Sequence, residues 1–358
     1  MHFVAVSTGS RGSDFRRDQD MIDPNNPYLQ AIFKNYGPRW DPSFLVDQDP
    51  REGTAPKFAA DIAAYANGIL EGVTKACPGF EVELFFVENA HINAFAGKIS
   101  DTEEHYAVGV YSGTITKLFD VFRSSHYLAV LRRNLAFLGN RTDAELQQLS
   151  LYFASLFLIF HEFGHVVRGH INFGKALAAA DVLWTESDER GTVAPPEMIR
   201  RRHLSECDAD ASAGILLAGE AHIQAKQLSH ALGRPIGDVM RDLVMLVTTA
   251  NHLLFCLFDD ARKEAHPFYP PPPLRSAIVL GHVAARTHRD GYDSRQHLNE
   301  MIPALFGVEE LRRQLSLKQG AYDLAEAFAS WTATYREQLK DFGSTLIPYG
   351  PCKKASAE

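Results

Sequence analysis

Two histidines four residues apart, with a glutamate directly after the first, stand at His161-Glu162-Phe163-Gly164-His165. On a helix of about 3.6 residues per turn, positions i and i+4 share a face. His161 and His165 can therefore direct two imidazoles at one ion, and Glu162 sits beside that face, within reach of a water on the ion. Neutral nitrogen donors suit zinc, and the carboxylate can take the water's proton. The chemistry this spacing encodes is metal-assisted hydrolysis with Glu162 as general base.

A catalytic zinc needs a third protein ligand and an open fourth position. Ser205-Glu-Cys-Asp-Ala-Asp-Ala-Ser-Ala-Gly214 offers Glu206 as that ligand. Asp210 lies one helical turn later on the same face, where it can accept the second ring N–H of a ligand histidine and fix its tautomer. Ala209, Ala211, Ala213 and Gly214 keep this helix slim, so it can lie close to the first.

The elements that must position these groups are legible nearby. Residues 149–160 form an apolar run without proline or glycine, residues 140–143 offer capping groups, and Gly169 follows the motif. That pattern predicts a buried helix carrying both histidines. Residues 57–75 have helical spacing, and residues 80–87, 93–96 and 106–111 read as strands of a small sheet. A helix is predicted over 115–138 and two over 221–262. A polar loop spans 186–196, a proline-rich stretch runs from His266 to Pro273, and helices follow to about Phe342.

With these motifs in place, the chain resembles the gluzincins, zinc peptidases whose third ligand is a glutamate. Glu206-x-x-Ala209-Asp210-x-x-Ala213 is similar to the E-x-x-A-D-x-x-A helix that carries their third ligand, and within them the chain looks like the CAAX prenyl endopeptidases and HtpX heat-shock proteases. Asn93-Ala94-Phe95-Ala96 resembles that family's N-A-F-A strand, residues 106–113 the strand after it, and His170 its extra histidine. His266-Pro267 with Arg275 resembles a further landmark. Two departures stand out: Gly97-Lys-Ile-Ser100 replaces paired glycines, and Pro270 to Pro273 lengthens the spacing from His266 to Arg275.

The resemblance implies an α+β, mainly helical fold with a zincin-like catalytic core. In it the H-E-x-x-H helix packs on the E-x-x-A-D helix beside a small sheet. Residues 1–55, rich in Asp, Asn, Pro and Arg, read as an irregular arm with short helical turns; the resemblance covers a metallopeptidase core over 56–285, and a C-terminal helical extension follows over 286–358. The resemblance implies that Asn93 to Ala96 form an edge strand whose free backbone pairs with an extended substrate. It also makes His266 and Arg275, with Tyr269 beside them, candidate catalytic residues that stabilise the oxyanion.

Composition bounds the partners. At 358 residues the chain has ample length for a core, and its net charge of −8 gives no reason to expect nucleic acid or an anionic membrane surface. The first twelve residues lack a signal-peptide layout. Cys77, Cys207, Cys256 and Cys352 form no C-x-x-C pair and read as free thiols, which suggests a reducing, cytoplasmic setting. The apolar stretches 149–160 and 243–258 are shorter than the roughly 20 residues a membrane span needs and read as core helices. The expectation is a cytoplasmic zinc endopeptidase acting on a protein or peptide. The alternatives are a specialised effector, such as a Lit-type phage-exclusion peptidase cutting one host protein, and a non-catalytic zinc-stabilised binding module.

Overall fold

The structure, a computed structural model, describes residues 26–42, 54–75, 77, 79–178, 184–185, 196–262, 269–317 and 323–351. The fold is α+β and mostly helical. In chain order the elements are α1 (Pro27–Tyr36), β1 (Arg39–Trp40), α2 (Ala55–Lys75), β2 (Phe80–Val87), β3 (Ala94–Lys98), β4 (Glu104–Tyr111), α3 (Ser112–Phe122) and α4 (Ser125–Asn134). Then follow α5 (Asp143–Val167), α6 (His170–Ala178), β5 (Trp184–Thr185), α7 (Pro196–Leu232), α8 (Ile236–Ala261), α9 (Pro272–Arg289), α10 (Ser294–Gln314), α11 (Leu324–Ser330) and α12 (Arg336–Leu346).

The sheet has the order β1-β2-β4-β3-β5, with β2 and β4 parallel and the other pairs antiparallel. Strand alternation sends side chains to two cores. Leu84 and Phe86 of β2, Ala94 and Ala96 of β3, and Tyr106, Val108 and Val110 of β4 join the main helical core. Phe85, Val87, Phe95, Ala107 and Tyr111 point the other way, where Leu29 and Ile32 of α1 cover them. The arm, expected to be irregular with short helical turns, therefore supplies over residues 26–42 a helix that covers the second face of the sheet and a short strand that pairs with β2 at its edge. Residues 1–25 lie outside the described part.

Helix α5 begins at a capping box: Thr142 accepts from the Glu145 backbone, and the Glu145 side chain accepts from the Thr142 backbone. It ends at Gly169, which adopts φ +79° and lies so close to the Tyr349 backbone that a Cβ there would clash. The helix expected over 115–138 is instead two, α3 and α4, broken where the Ser124 side chain caps the second. Both α5 and α8 prove long and apolar enough to cross a membrane, so length does not exclude spans as it did for the shorter apolar stretches. Their apolar windows are 94% and 100% buried inside the molecule, which is the position of core helices. Cys207 and Cys256 are free thiols, as expected. Cys77 is not; it is disulfide-bonded, so cysteine usage gives no argument for a reducing compartment.

The helix carrying Glu206 is α7, 37 residues long and continuous, and it packs on α5, α8 and α9. Small residues set that packing. A Cβ at Gly164 of α5 would stand 3.2 Å from the Ala209 Cα, and one at Gly214 would stand 3.0 Å from the Val279 carbonyl oxygen of α9. Gly164→Val should therefore force α5 and α7 apart and lower stability by about 1–3 kcal/mol, read from denaturant unfolding. Wild-type stability in that variant would show that the contact has slack.

Candidate metal centre

Each ligand candidate arrives on a helix whose packing faces it inward. His161 and His165 project from the last turns of α5, and Glu206 projects from α7 where Ala209 meets Gly164. The three side chains, each at most 3% exposed, converge. His161 Nε2 is 3.2 Å from His165 Nε2 and 3.3 Å from Glu206 Oε2, and His165 Nε2 is 3.6 Å from Glu206 Oε1. Ligand atoms bound at about 2.0–2.2 Å to a four-coordinate ion stand about 3.3–3.6 Å from one another. The triangle has the size that one metal ion requires.

The hydrogen-bond partners explain why the triangle needs a cation. Asp210 Oδ1 lies 2.8 Å from His161 Nδ1. A carboxylate only accepts, so the imidazole proton is on Nδ1 and Nε2 presents a lone pair. His165 Nδ1 lies 2.8 Å from His170 Nδ1, and His170 Nε2 lies 3.0 Å from Asp208 Oδ2. Arg168 also forks onto Asp208, at 2.7 and 3.1 Å, and balances its charge. His170 is then neutral and donates from Nε2 to Asp208. Its Nδ1 accepts from His165 Nδ1–H, which leaves His165 Nε2 as a second lone pair. Glu206 Oε2, buried and hydrogen-bonded to nothing among the described residues, is the third. Three electron-rich atoms facing each other in a dry core repel unless a cation lies between them. The donor set fits a metal ion.

The electrostatics agree. Burial holds His165 well below the ordinary histidine range, and the guanidiniums of Arg275 and Arg202 act in the same direction, so it stays neutral and able to ligate. Burial alone would raise Asp208. Hydrogen bonds from His170 and then from Arg168 outweigh it and hold this carboxylate ionised below its usual range.

The other expected site residues fall as follows. Glu162 lies beside the histidine face and is 1% exposed. Arg275 of α9 is buried and forks onto Asp210, with Nε–Oδ2 2.9 Å and Nη2–Oδ1 2.8 Å, while its Cζ lies 4.4 Å from the Phe255 ring centroid. Its guanidinium thus reaches the site through Asp210, with Nη2 3.5 Å from His161 Nδ1. His266 lies outside the described residues. Tyr269 is buried under the Arg262 guanidinium, 3.8 Å from its ring centroid.

The strand Asn93 to Ala96 is not an open edge. β3 pairs with β4 on one side and, at Phe95 and Ala96, with β5 on the other. The Asn93 backbone is held by Thr114, whose hydroxyl accepts from its N–H and donates to its carbonyl.

Asp208 and Arg168 escaped the sequence reading. Asp208 is two residues from Glu206 and points to the other side of α7, where only the fold-back of α6 brings His170 to meet it. The signal available was the alternation of acids at 206, 208 and 210 together with the basic pair Arg168 and His170.

No protein-family model, no curated protein and no solved structure matches this chain.

Two outcomes follow from the geometry. His161→Ala should lose nearly all bound metal, measured by elemental analysis of the purified protein against wild type; retention at the wild-type level would remove His161 from the ligand set. Asp210→Ala and Asp208→Ala should each keep the ligands but weaken metal binding about 10–100-fold, read by competition with a chromophoric chelator. Unchanged affinity in both would mean that the two carboxylates do not orient the histidines.

Proposed function

We propose that this chain is a zinc-dependent endopeptidase with a zincin-like core. The observation that carries the reading is the triangle of lone pairs on His161, His165 and Glu206, with a carboxylate, Glu162, next in sequence to the first ligand. Two imidazoles and one carboxylate are a donor set that suits zinc and leaves a fourth position. A purely structural site closes that position with a fourth protein ligand and has no use for a base beside it.

Zinc bound there would act as a Lewis acid and bring the pKa of a water on it down to about 7. The chain's own residues do the rest. Glu162 accepts the proton of the attacking water and returns it to the departing amine. Asp210 and Arg275 hold His161, and His170, Asp208 and Arg168 hold His165, so both rings keep the Nδ1–H tautomer throughout. Fixed orientation lowers the reorganisation needed as charge develops. The mixed sheet supports the zincin-like part of the reading, because α5 packs directly on β3 and β4. A substrate is a protein or peptide, and to pair with β3 at Phe95 and Ala96 it has to take the place of β5.

Glu162→Gln tests the base. The amide is nearly isosteric and cannot take a proton, so the variant should keep its zinc and fold while hydrolysis of an unfolded protein substrate falls about 10²-fold or more. Equal turnover in both proteins would place the base elsewhere. A zinc-loaded wild type that cleaves nothing in a broad substrate mixture would favour the single-substrate effector or the binding module.

A further inference from the structure

A second cluster of metal-ligating side chains lies one helix away from the first. His252 and Cys256 are four residues apart on α8, share a face and are fully buried; Glu309 reaches them from α10. A ring nitrogen of His252, the Cys256 Sγ and a Glu309 carboxylate oxygen lie within 4.8 Å of one another. We propose that His252, Cys256 and Glu309 form a second site for a borderline-soft divalent cation of the zinc class, clipping α8 to α10 independently of the first centre.

The arrangement repeats the logic of the first site. In both, two ligands at i and i+4 come from one helix and a glutamate comes from another. In both, the leading histidine has its Nδ1 held by a buried partner and its Nε2 aimed at the glutamate. His252 Nδ1 is 2.7 Å from Ser276 Oγ, and Nε2 is 2.8 Å from Glu309 Oε1. Consecutive residues of α9 serve the two centres, Arg275 through Asp210 and Ser276 directly.

The metal-free form is self-consistent: Ser276 donates to Nδ1, and Nε2–H donates to Glu309. On binding, the imidazole proton moves to Nδ1 and is donated to Ser276, Nε2 turns its lone pair to the ion, and Cys256 releases its thiol proton to solvent. The Nε2–Oε1 distance then has to open towards about 3.3 Å. Glu309 can give that room, because its side chain is 26% exposed while those of His252 and Arg312 are buried. The same exposure supplies an entry path and a place for a water as fourth ligand.

Charge favours the ion. Arg312 is fully buried and bound first to Asp259, at 2.7 Å, with Glu309 Oε2 farther off at 3.7 Å. One guanidinium therefore faces two carboxylates. A dication with one thiolate brings this group of side chains to neutrality, which a buried cluster favours. Thiolate, imidazole and carboxylate together select zinc over magnesium or calcium, which take oxygen ligands.

Sulfur makes the test selective, since the first centre offers only nitrogen and oxygen. Co2+ is titrated into chelator-stripped full-length protein and followed by absorption. Two equivalents should bind, and one of them should develop a near-ultraviolet thiolate-to-cobalt charge-transfer band. The band should vanish in Cys256→Ser and persist in His161→Ala and in Cys207→Ser. Glu309→Gln, a conservative change at a partly exposed side chain that spares the core, should weaken the band-forming equivalent at least about tenfold. A wild type that binds cobalt without the band overturns the proposal. So does a band that survives Cys256→Ser, or one lost in Cys207→Ser, which would assign the sulfur to the neighbour of Glu206.

Discussion

The interaction on which the rest of this structure depends is the repulsion among three lone pairs, on His161 Nε2, His165 Nε2 and Glu206. Water would dissipate it, but these atoms are in the core, where an uncompensated charge or unmatched acceptor costs several kcal/mol. The surrounding groups do not relieve the repulsion; they enforce it. Asp210 and the His170–Asp208 pair hold both imidazoles in the tautomer that turns lone pairs towards Glu206. Arg168 is paired with Asp208 and Arg275 with Asp210, so the Glu206 carboxylate is the charge that a cation among the three donors would meet.

Such a centre can only be built where two helices approach closely, because imidazole and carboxylate side chains are short. Gly164 and Ala209 at the crossing of α5 and α7 meet that demand, and Gly214 repeats the device between α7 and α9. Helix α7 is thereby the hub of the site. One side gives Glu206 and Asp210 to α5, and the other gives Asp208 to α6. The strongly apolar helices α5 and α8 are the complement of this polar hub. Their burial removes water from around the ligands, which keeps His165 neutral.

The sheet contributes a surface on which α5 packs. Its strands send alternate residues into the helical core and into a smaller core under α1, so β3 and β4 form a two-sided wall against which the metal-bearing helix rests. The short strand β5 lies along the outer side of β3 and makes the chain itself a partner of the backbone there.

Much of the centre was legible from residue types and spacing. The i, i+4 repeat of His161 and His165, the apolar run before them and the E-x-x-A-D pattern each depend only on local helix geometry, which the chain specifies within a turn or two. The strands over 80–87 and 106–111 were readable for the same reason, since their two-residue alternation is local. Contacts that depend on how distant segments fold back were not readable. Asp208 looked like a residue on the wrong face until α6 placed His170 against it. The fork of Arg275 onto Asp210 joins residues 65 positions apart, which no local pattern announces. The residues of α1 looked like an irregular arm because what they cover is assembled from strands far along the chain. Sequence by itself determined which helices carry the imidazole and carboxylate donors. Tertiary structure decided which tautomers those side chains adopt and which charges face them, because hydrogen-bond partners and neutralising charges come from wherever packing brings them.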